Sequence, residues 1–509
     1  MSEPGEIIHI GDARAMKRIE DHCDVVIIGT GAAGAPAARV LAAAGLDVVM
    51  LEEGPFVPLE VRRHDQWTGF KQAWRDVGFQ VAQAKGVLPI LQGRSVGGST
   101  TINGAIVHRV PEKIHARWVD EFGWGNAVPM KDLDRIYDRL DVELSVAPAP
   151  EPARGQNNRL MGAGGDALGI RHNVIQRNVI GCRATARCLQ ACPTGRKQSM
   201  DVTLIPQAMR DGARLYATCR AERFLRAAGR VTGVEGVFVD PITGERGPEM
   251  VVHAKRVLVA ASAIQSPLLL LANGIRGRSK QVGRRLQAHP GVSIMATFDE
   301  PVDMWFGATQ GHETTHWWDE KMKFESVGVP LEVGAARLPG FGRELMHRIA
   351  DWGHVAQWGV QVRSDFMGRV RRGLFGGTSI RYGFSAQDIA IIKIGLGRLA
   401  EMAFGAGATS LYPGVHGLPD VVTSIDEMRA LDDVPNDPRL FHGIASHLFG
   451  TTIMGPDPAT SVVGLDGQVH DVPGLYVLDS SLYPTNMGVN PAHTISAISW
   501  HLAERIAGV

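Results

Sequence analysis

Three glycines, Gly29, Gly31 and Gly34, spell G-x-G-x-x-G. That spacing suits a pyrophosphate. The first glycine permits a tight turn and the second lets phosphates approach the backbone. The helix that follows offers free N–H groups and the positive end of its dipole. The flanks agree with this reading: an apolar run "DVVII" at 24–28 precedes the loop and "APAARVLAAA" at 35–44 follows it. A second apolar run, "LDVVML" at 46–51, leads into Glu52, placed to accept hydrogen bonds from adenosine ribose hydroxyls. The loop alone does not separate FAD from NAD. A second chemistry is carried by Cys182, Cys188 and Cys192, spaced C-x5-C-x3-C and followed by Pro193. Thiolates at this spacing can converge on one metal centre if the loop folds back. Zinc would need a fourth ligand from outside, Cys219 or His172. Reduced structural thiols and a disulfide are the plain alternatives, and Cys23 and Cys219 read as small buried hydrophobes.

These residues need elements to hold them. The 24–54 segment is a complete strand–turn–helix–strand unit, and helix and strand alternate again at 201–275 and 474–509. Between them, 296–436 has another texture, with broken strand-like runs and many Trp and Met. One α/β sheet assembled from distant segments, with a second domain inserted, accounts for that order. The chain has 509 residues, and Lys plus Arg equals Asp plus Glu at 53 each. With no charge excess there is no electrostatic reason to bind nucleic acid or an anionic membrane. Five cysteines are too few for a disulfide scaffold. The first 24 residues lack the apolar core of a secretory signal. The most apolar stretch, 257–275, is broken by Gln265, Pro267 and Asn273. The expectation is a soluble, cytoplasmic protein without a membrane span.

Further motifs carry a resemblance. Residues 97–104 read "GGSTTING", 261–275 read "ASAIQSPLLLLANGI", 447–451 read "HLFGT", and 479–491 read "DSSLYPTNMGVNP". In this order, behind the nucleotide loop, they resemble the glucose–methanol–choline (GMC) oxidoreductases and span most of the chain. The resemblance implies an α/β fold: a Rossmann-like FAD-binding domain with an interleaved α+β substrate-binding domain. The FAD domain is expected at 1–110, 196–295 and 437–509. The substrate domain is expected at 111–195, with the cysteine cluster, and at 296–436. Gly97, Gly98, Ser99 and Asn103 should line the flavin, Asp479 should lie near the ribityl–pyrophosphate, and Pro491 near the pyrimidine edge. Some members tether FAD through a His where this chain has Ile102, so non-covalent FAD is expected.

The family's catalytic position falls on His447, expected to take the hydroxyl proton while a carbinol hydride passes to the flavin. Its partner position falls on Asn490. His442 and His493 compete for these roles. The cysteines resemble the three-cysteine [3Fe–4S] site of bacterial FAD-dependent glucose dehydrogenases, and also a stretch in long-chain-alcohol oxidoreductases. A cluster would carry electrons to an external acceptor or redox partner. An oxygen-using oxidase without a cluster, a flavin lyase or decarboxylase, and a non-catalytic electron-transfer flavoprotein are the rival readings. The small-molecule alcohol is left open among lipid-like, aromatic, sugar and amino-sugar types. Glu325 and Glu332 could recognise a cationic or polyhydroxyl substrate, but solvated strand edges are the plainer reading.

Overall fold

The computed structural model describes residues 6–373 and 377–509. The apolar runs around the glycine loop are buried parallel strands, β1 (Arg18–Ile28) and β2 (Val48–Leu51), joined by α1 (Gly34–Ala43). They join β3 (Arg214–Tyr216), β4 (Cys219–Ala227), β5 (Arg230–Val239) and β6 (Arg246–Val259). Two short strands, Ile7–Ile8 and Leu475–Val477, complete an eight-stranded sheet. Its order is Ile7–Ile8, β3, β2, β1, β6, β5, β4, with Leu475–Val477 also paired to β6. Pairing is parallel from Ile7–Ile8 through β6, whereas β4, β5 and β6 form an antiparallel meander. Val25, Val26 and Ile27 are fully buried, as expected of strands covered on both faces.

β1 and β6 end level, with Ile28 opposite Val259. Gly29 therefore lies beside Ala260, and a Cβ there would meet the Ala260 carbonyl oxygen at 2.5 Å. This carboxyl-end crevice is where open α/β sheets bind ligands.

A second, antiparallel sheet of nine strands faces that crevice. Its main strands are β7 (Arg284–Thr297), β8 (Met322–Ser326), β9 (Val355–Val362) and β10 (Gly443–Phe449). β7 pairs with both β9 and β10, and β8 pairs with β9. Alternation along β9 sends Trp358, Val360 and Val362 into the core, where Val360 lies against Gly395 of α2 (Ala386–Gly405). Gln357, Gly359 and Gln361 face the crevice. A last helix, α3 (Ala492–Ala507), returns to the first sheet, where Ser496 and Ser499 donate to carbonyls of Ala32 and Ala33.

Three expected boundaries move. Helices Glu112–Phe122 and Met130–Glu143 bury Ile114, Trp118, Leu133, Ile136 and Leu140 in the core of the first sheet, whereas the sequence places 111–195 in the substrate domain. β7 belongs to the second sheet, so the FAD-binding segment ends before Arg284, and β10 joins that sheet too. Charged helix faces conceal which core a helix serves, and a strand carries no mark of its sheet. No helix among the described residues is long and apolar enough to cross a membrane.

Candidate active site

A cavity of about 1180 Å³ runs between the two sheets, from Gly29 and Glu52 to His447 and Asn490. A single drug-sized ligand fills roughly 300–1,000 Å³. This cavity has room for an extended cofactor and a second molecule.

The cofactor end is built from backbone. Gly29, Gly97 and Gly98 have φ of +97°, +92° and +53°, a region that favours glycine. A Cβ on Gly98 would meet the Gly31 Cα at 2.8 Å, so the two glycine loops touch with no space for side chains between them. Gly34 plays the packing role: a Cβ there would lie 1.8 Å from the Gly29 oxygen. Glu52 is buried at the end of β2 and accepts from the Thr30 N–H (3.0 Å), the Thr30 hydroxyl (2.7 Å) and the Gly54 N–H (2.8 Å). Burial pushes its carboxyl up against those bonds. The Thr30 hydroxyl in turn accepts from the Gly97 N–H, tying the loops together, a part the glycine pattern does not announce. Ser99 accepts from the Gly93 N–H, and the Asn103 side chain from the Ala105 N–H. Asp479 accepts from the Ser262 and Ser481 N–H groups and from the Ser266 hydroxyl. Pro491 caps α3 without a side-chain bond, leaving that helix's first N–H groups toward the cavity. All the expected cofactor residues except Gly34 and Gly97 line the cavity, and those two brace its loops. Ile102 lines it as well. The cradle fits a dinucleotide.

At the other end the pairing of β7 with β10 slips between Gln287–Phe449 and His289–Ser446. One strand has an extra residue there, a β-bulge that re-aims a side chain. His447 sits in it with φ +58°, strained for a non-glycine residue. Its ring enters the cavity beside Asn490, with Asn490 Nδ2 3.4 Å from His447 Nε2.

Neighbours set the orientation of both groups. The Gly488 N–H donates to His289 Nε2 at 2.8 Å, so a neutral His289 carries its proton on Nδ1. That proton is donated to His447 Nδ1, 3.1 Å away. His447 then carries its own proton on Nε2, as a donor to the cavity and not to Asn490. Burial pushes His447 down to about 3, with Lys323 and His108 adding to it, so the ring stays neutral at ordinary pH. His289 is likewise held well below the usual imidazole range, by burial first and then by His447.

Lys323, fully buried on β8, fixes the partner. Its ammonium donates to Asn490 Oδ1 (2.6 Å) and pairs with Glu313 (2.7 Å) and Glu325. A lysine can only donate. Asn490 must therefore show it the carbonyl and turn its NH₂ toward His447. In this arrangement His447 Nε2 and Asn490 Nδ2 are both donors, 3.4 Å apart on the cavity wall.

Two family models match the chain, both described as GMC oxidoreductase: an N-terminal one over residues 23–291 and a C-terminal one over 378–499. The chain belongs to the GMC oxidoreductase family. It is an FAD-dependent oxidoreductase of CH–OH substrates. An uncharacterised GMC-type oxidoreductase of Mycobacterium tuberculosis is 34% identical over 488 residues, covering 95% of this chain and 75% of that protein. A long-chain-alcohol oxidase of Arabidopsis thaliana is 24% identical, covering 95% of this chain and 66% of its own. Formate oxidase of Aspergillus oryzae shares the fold, with a TM-score of 0.72, 16% identity and coverage of 96% and 98%.

Other candidates of this GMC chain fall elsewhere. His442 is exposed, and His493 is buried beside Asp141 and Tyr137, facing away from the cavity. Glu325 corrects the strand-edge reading: it is buried and lines the cavity. Glu332 is exposed and accepts from the Gln66 N–H. His289, Thr30 and Lys323 are the functional residues that sequence reasoning missed. The signal for Lys323 was a charge at every second position of β8, "KFE".

The cysteine loop packs behind the flavin loop, and Cys182, Cys188 and Cys192 do not line the cavity. Cys188 Sγ accepts from Arg177 (3.1 Å), and Cys192 Sγ from the Lys197 N–H (3.3 Å). Buried Lys197 donates to the carbonyls of Thr101, Asn103 and Cys188. Burial pushes the Cys188 thiol up, but Arg177 and Lys197 outweigh it and hold the thiol below its ordinary range. These contacts describe a brace under the flavin loop and give no support to an iron–sulfur cluster. Lys197→Met should lose bound FAD at least tenfold more readily, measured by flavin release on dilution. Unchanged retention would remove Lys197 from the brace.

Proposed function

We propose that this GMC oxidoreductase oxidises an alcohol to an aldehyde or ketone, with the carbinol oxygen seated between His447 and Asn490. The placing of His447 Nε2 and Asn490 Nδ2 side by side, 3.4 Å apart on the wall of the cavity that holds the glycine cradle, carries this reading. Bound FAD, held non-covalently by the cradle, supplies the hydride acceptor. His447 Nε2–H and Asn490 Nδ2–H donate to the oxygen and stabilise it as its hydroxyl proton departs to water. This differs from the base role expected from sequence. For His447 to accept a proton at Nε2, its proton would have to lie on Nδ1 and be donated to His289. His289 Nδ1 would then have to be bare and its Nε2 protonated against the Gly488 N–H. The hydrogen-bond chain opposes that arrangement.

In this scheme anaerobic flavin reduction rises with pH and shows no plateau near the ordinary imidazole value. A plateau there would return His447 to the role of base. Asn490→Ala should slow reduction by about tenfold to a hundredfold, less than loss of His447. An unchanged rate would remove Asn490 from the seat.

For the electron exit, the oxidase named among the relatives favours oxygen as acceptor. Iron and labile sulfide measured on protein purified without oxygen decide against the cluster if absent. Stoichiometric iron would restore it.

A further inference from the structure

We infer that the substrate of this site is a cyclic polyol, a sugar- or cyclitol-like alcohol with hydroxyl groups beside the reacting carbinol. The inference rests on the alcohol-oxidising reading above and narrows it.

The wall facing the flavin loop is polar where a sheet interior is normally apolar. Glu325 is the organiser. Its carboxylate accepts from Lys323, from Gln361 Nε2 (2.7 Å) and from Gln310 Nε2 (2.7 Å). An ionised carboxylate can only accept, so both amides must show it their NH₂ ends. Each amide oxygen then points away from Glu325. Among the described residues neither Gln361 Oε1 nor Gln310 Oε1 accepts a hydrogen bond, and both side chains line the cavity. Gln310 Oε1 lies against Gly104 of the flavin loop, where a Cβ would meet it at 1.9 Å.

A third amide repeats the pattern four residues back along β9. Gln357 is 93% buried and donates its Nε2 to Ser293 Oγ (3.1 Å). Its Oε1 is buried without a partner. A buried acceptor left unpaired is unfavourable by about 1–3 kcal/mol.

Along β9 the wall thus sets two unpartnered amide oxygens, Gln357 Oε1 and Gln361 Oε1, while Gln310 Oε1 is turned against Gly104. Gly359, between Gln357 and Gln361, leaves the strand bare there. Val327 and Ile444 line the same chamber and suit the C–H face of a ring. A long alkyl chain has no donors to give this wall and would strip water from Gln361 Oε1.

The test uses the FAD-loaded enzyme without oxygen. Inositols, methyl glycosides and amino sugars are compared with straight-chain primary alcohols from 1-octanol to 1-dodecanol. Binding is read by calorimetry and turnover by flavin bleaching. Polyols should bind and bleach the flavin with higher kcat/KM than alkanols. Gln361→Leu should weaken polyol binding by about tenfold while alkanol binding holds or tightens. Gln357→Leu, in the wall but outside the Glu325 cluster, should act in the same direction and guards against a folding defect in the first variant. Alkanols bleaching better than every polyol would overturn the polyol assignment and keep the alcohol reading. A flavin that neither class bleaches would overturn both.

Discussion

His447→Ala should slow anaerobic flavin reduction by about 10²–10³-fold with FAD still bound, and His447→Gln should recover most of that loss. The first figure is the usual effect of deleting one preorganised donor at a developing negative charge. The second follows from the hydrogen-bond chain. Gly488 fixes His289, and His289 fixes His447 as an Nε2–H donor. A glutamine amide can supply a donor near the same point but cannot take up a proton. If His447 were the base, glutamine would be as inactive as alanine, because general-base catalysis is worth about 10²–10⁴-fold. The ratio of the two variants therefore separates donor from base.

Lys323→Met should lower stability by about 3–5 kcal/mol, seen in denaturant unfolding of the FAD-loaded protein. Breaking a buried ion pair leaves the other charges uncompensated. Here two carboxylates, Glu313 and Glu325, would lose their shared cation. His108 (2.9 Å) and the Asn173 amide (3.0 Å) would remain as hydrogen-bond partners of Glu313. The folded fraction should also reduce more slowly, because Asn490 is freed to rotate its carbonyl toward His447. Adding Glu325→Gln and Glu313→Gln should restore much of the stability but not the rate, since nothing then orients Asn490. A Lys323→Met protein as stable and as fast as the parent would refute both functions of the lysine.

Much of this site was legible because glycine loops and strand ends write their geometry locally. Gly29, Gly31 and Gly34 need their backbone freedom and close packing within one strand–helix unit, so three letters and their flanks suffice. His447 and Asn490 were legible only through the family resemblance, since they lie 43 positions apart and meet across a bulge. What orients them was hidden. His289 sits 158 residues from the ring it holds, and Lys323 sits 167 from the amide it holds. A lysine on a strand reads as a surface residue until the sheet shows which face is covered. The two cores mixed for a similar reason: helices 112–122 and 130–143 display ordinary amphipathic faces that name no partner. The cysteines illustrate the converse. Their spacing allowed a metal centre, yet the fold gives Cys188 and Cys192 to Arg177 and Lys197.

The most direct test of the account is flavin reduction without oxygen, followed in the visible band for the parent protein and for His447→Ala. The parent should carry FAD and be bleached by an alcohol. His447→Ala should carry the same FAD and bleach at least a hundredfold more slowly. A parent flavin that no alcohol bleaches, or a variant that keeps pace with the parent, would contradict the assignment of this cavity as the oxidation site.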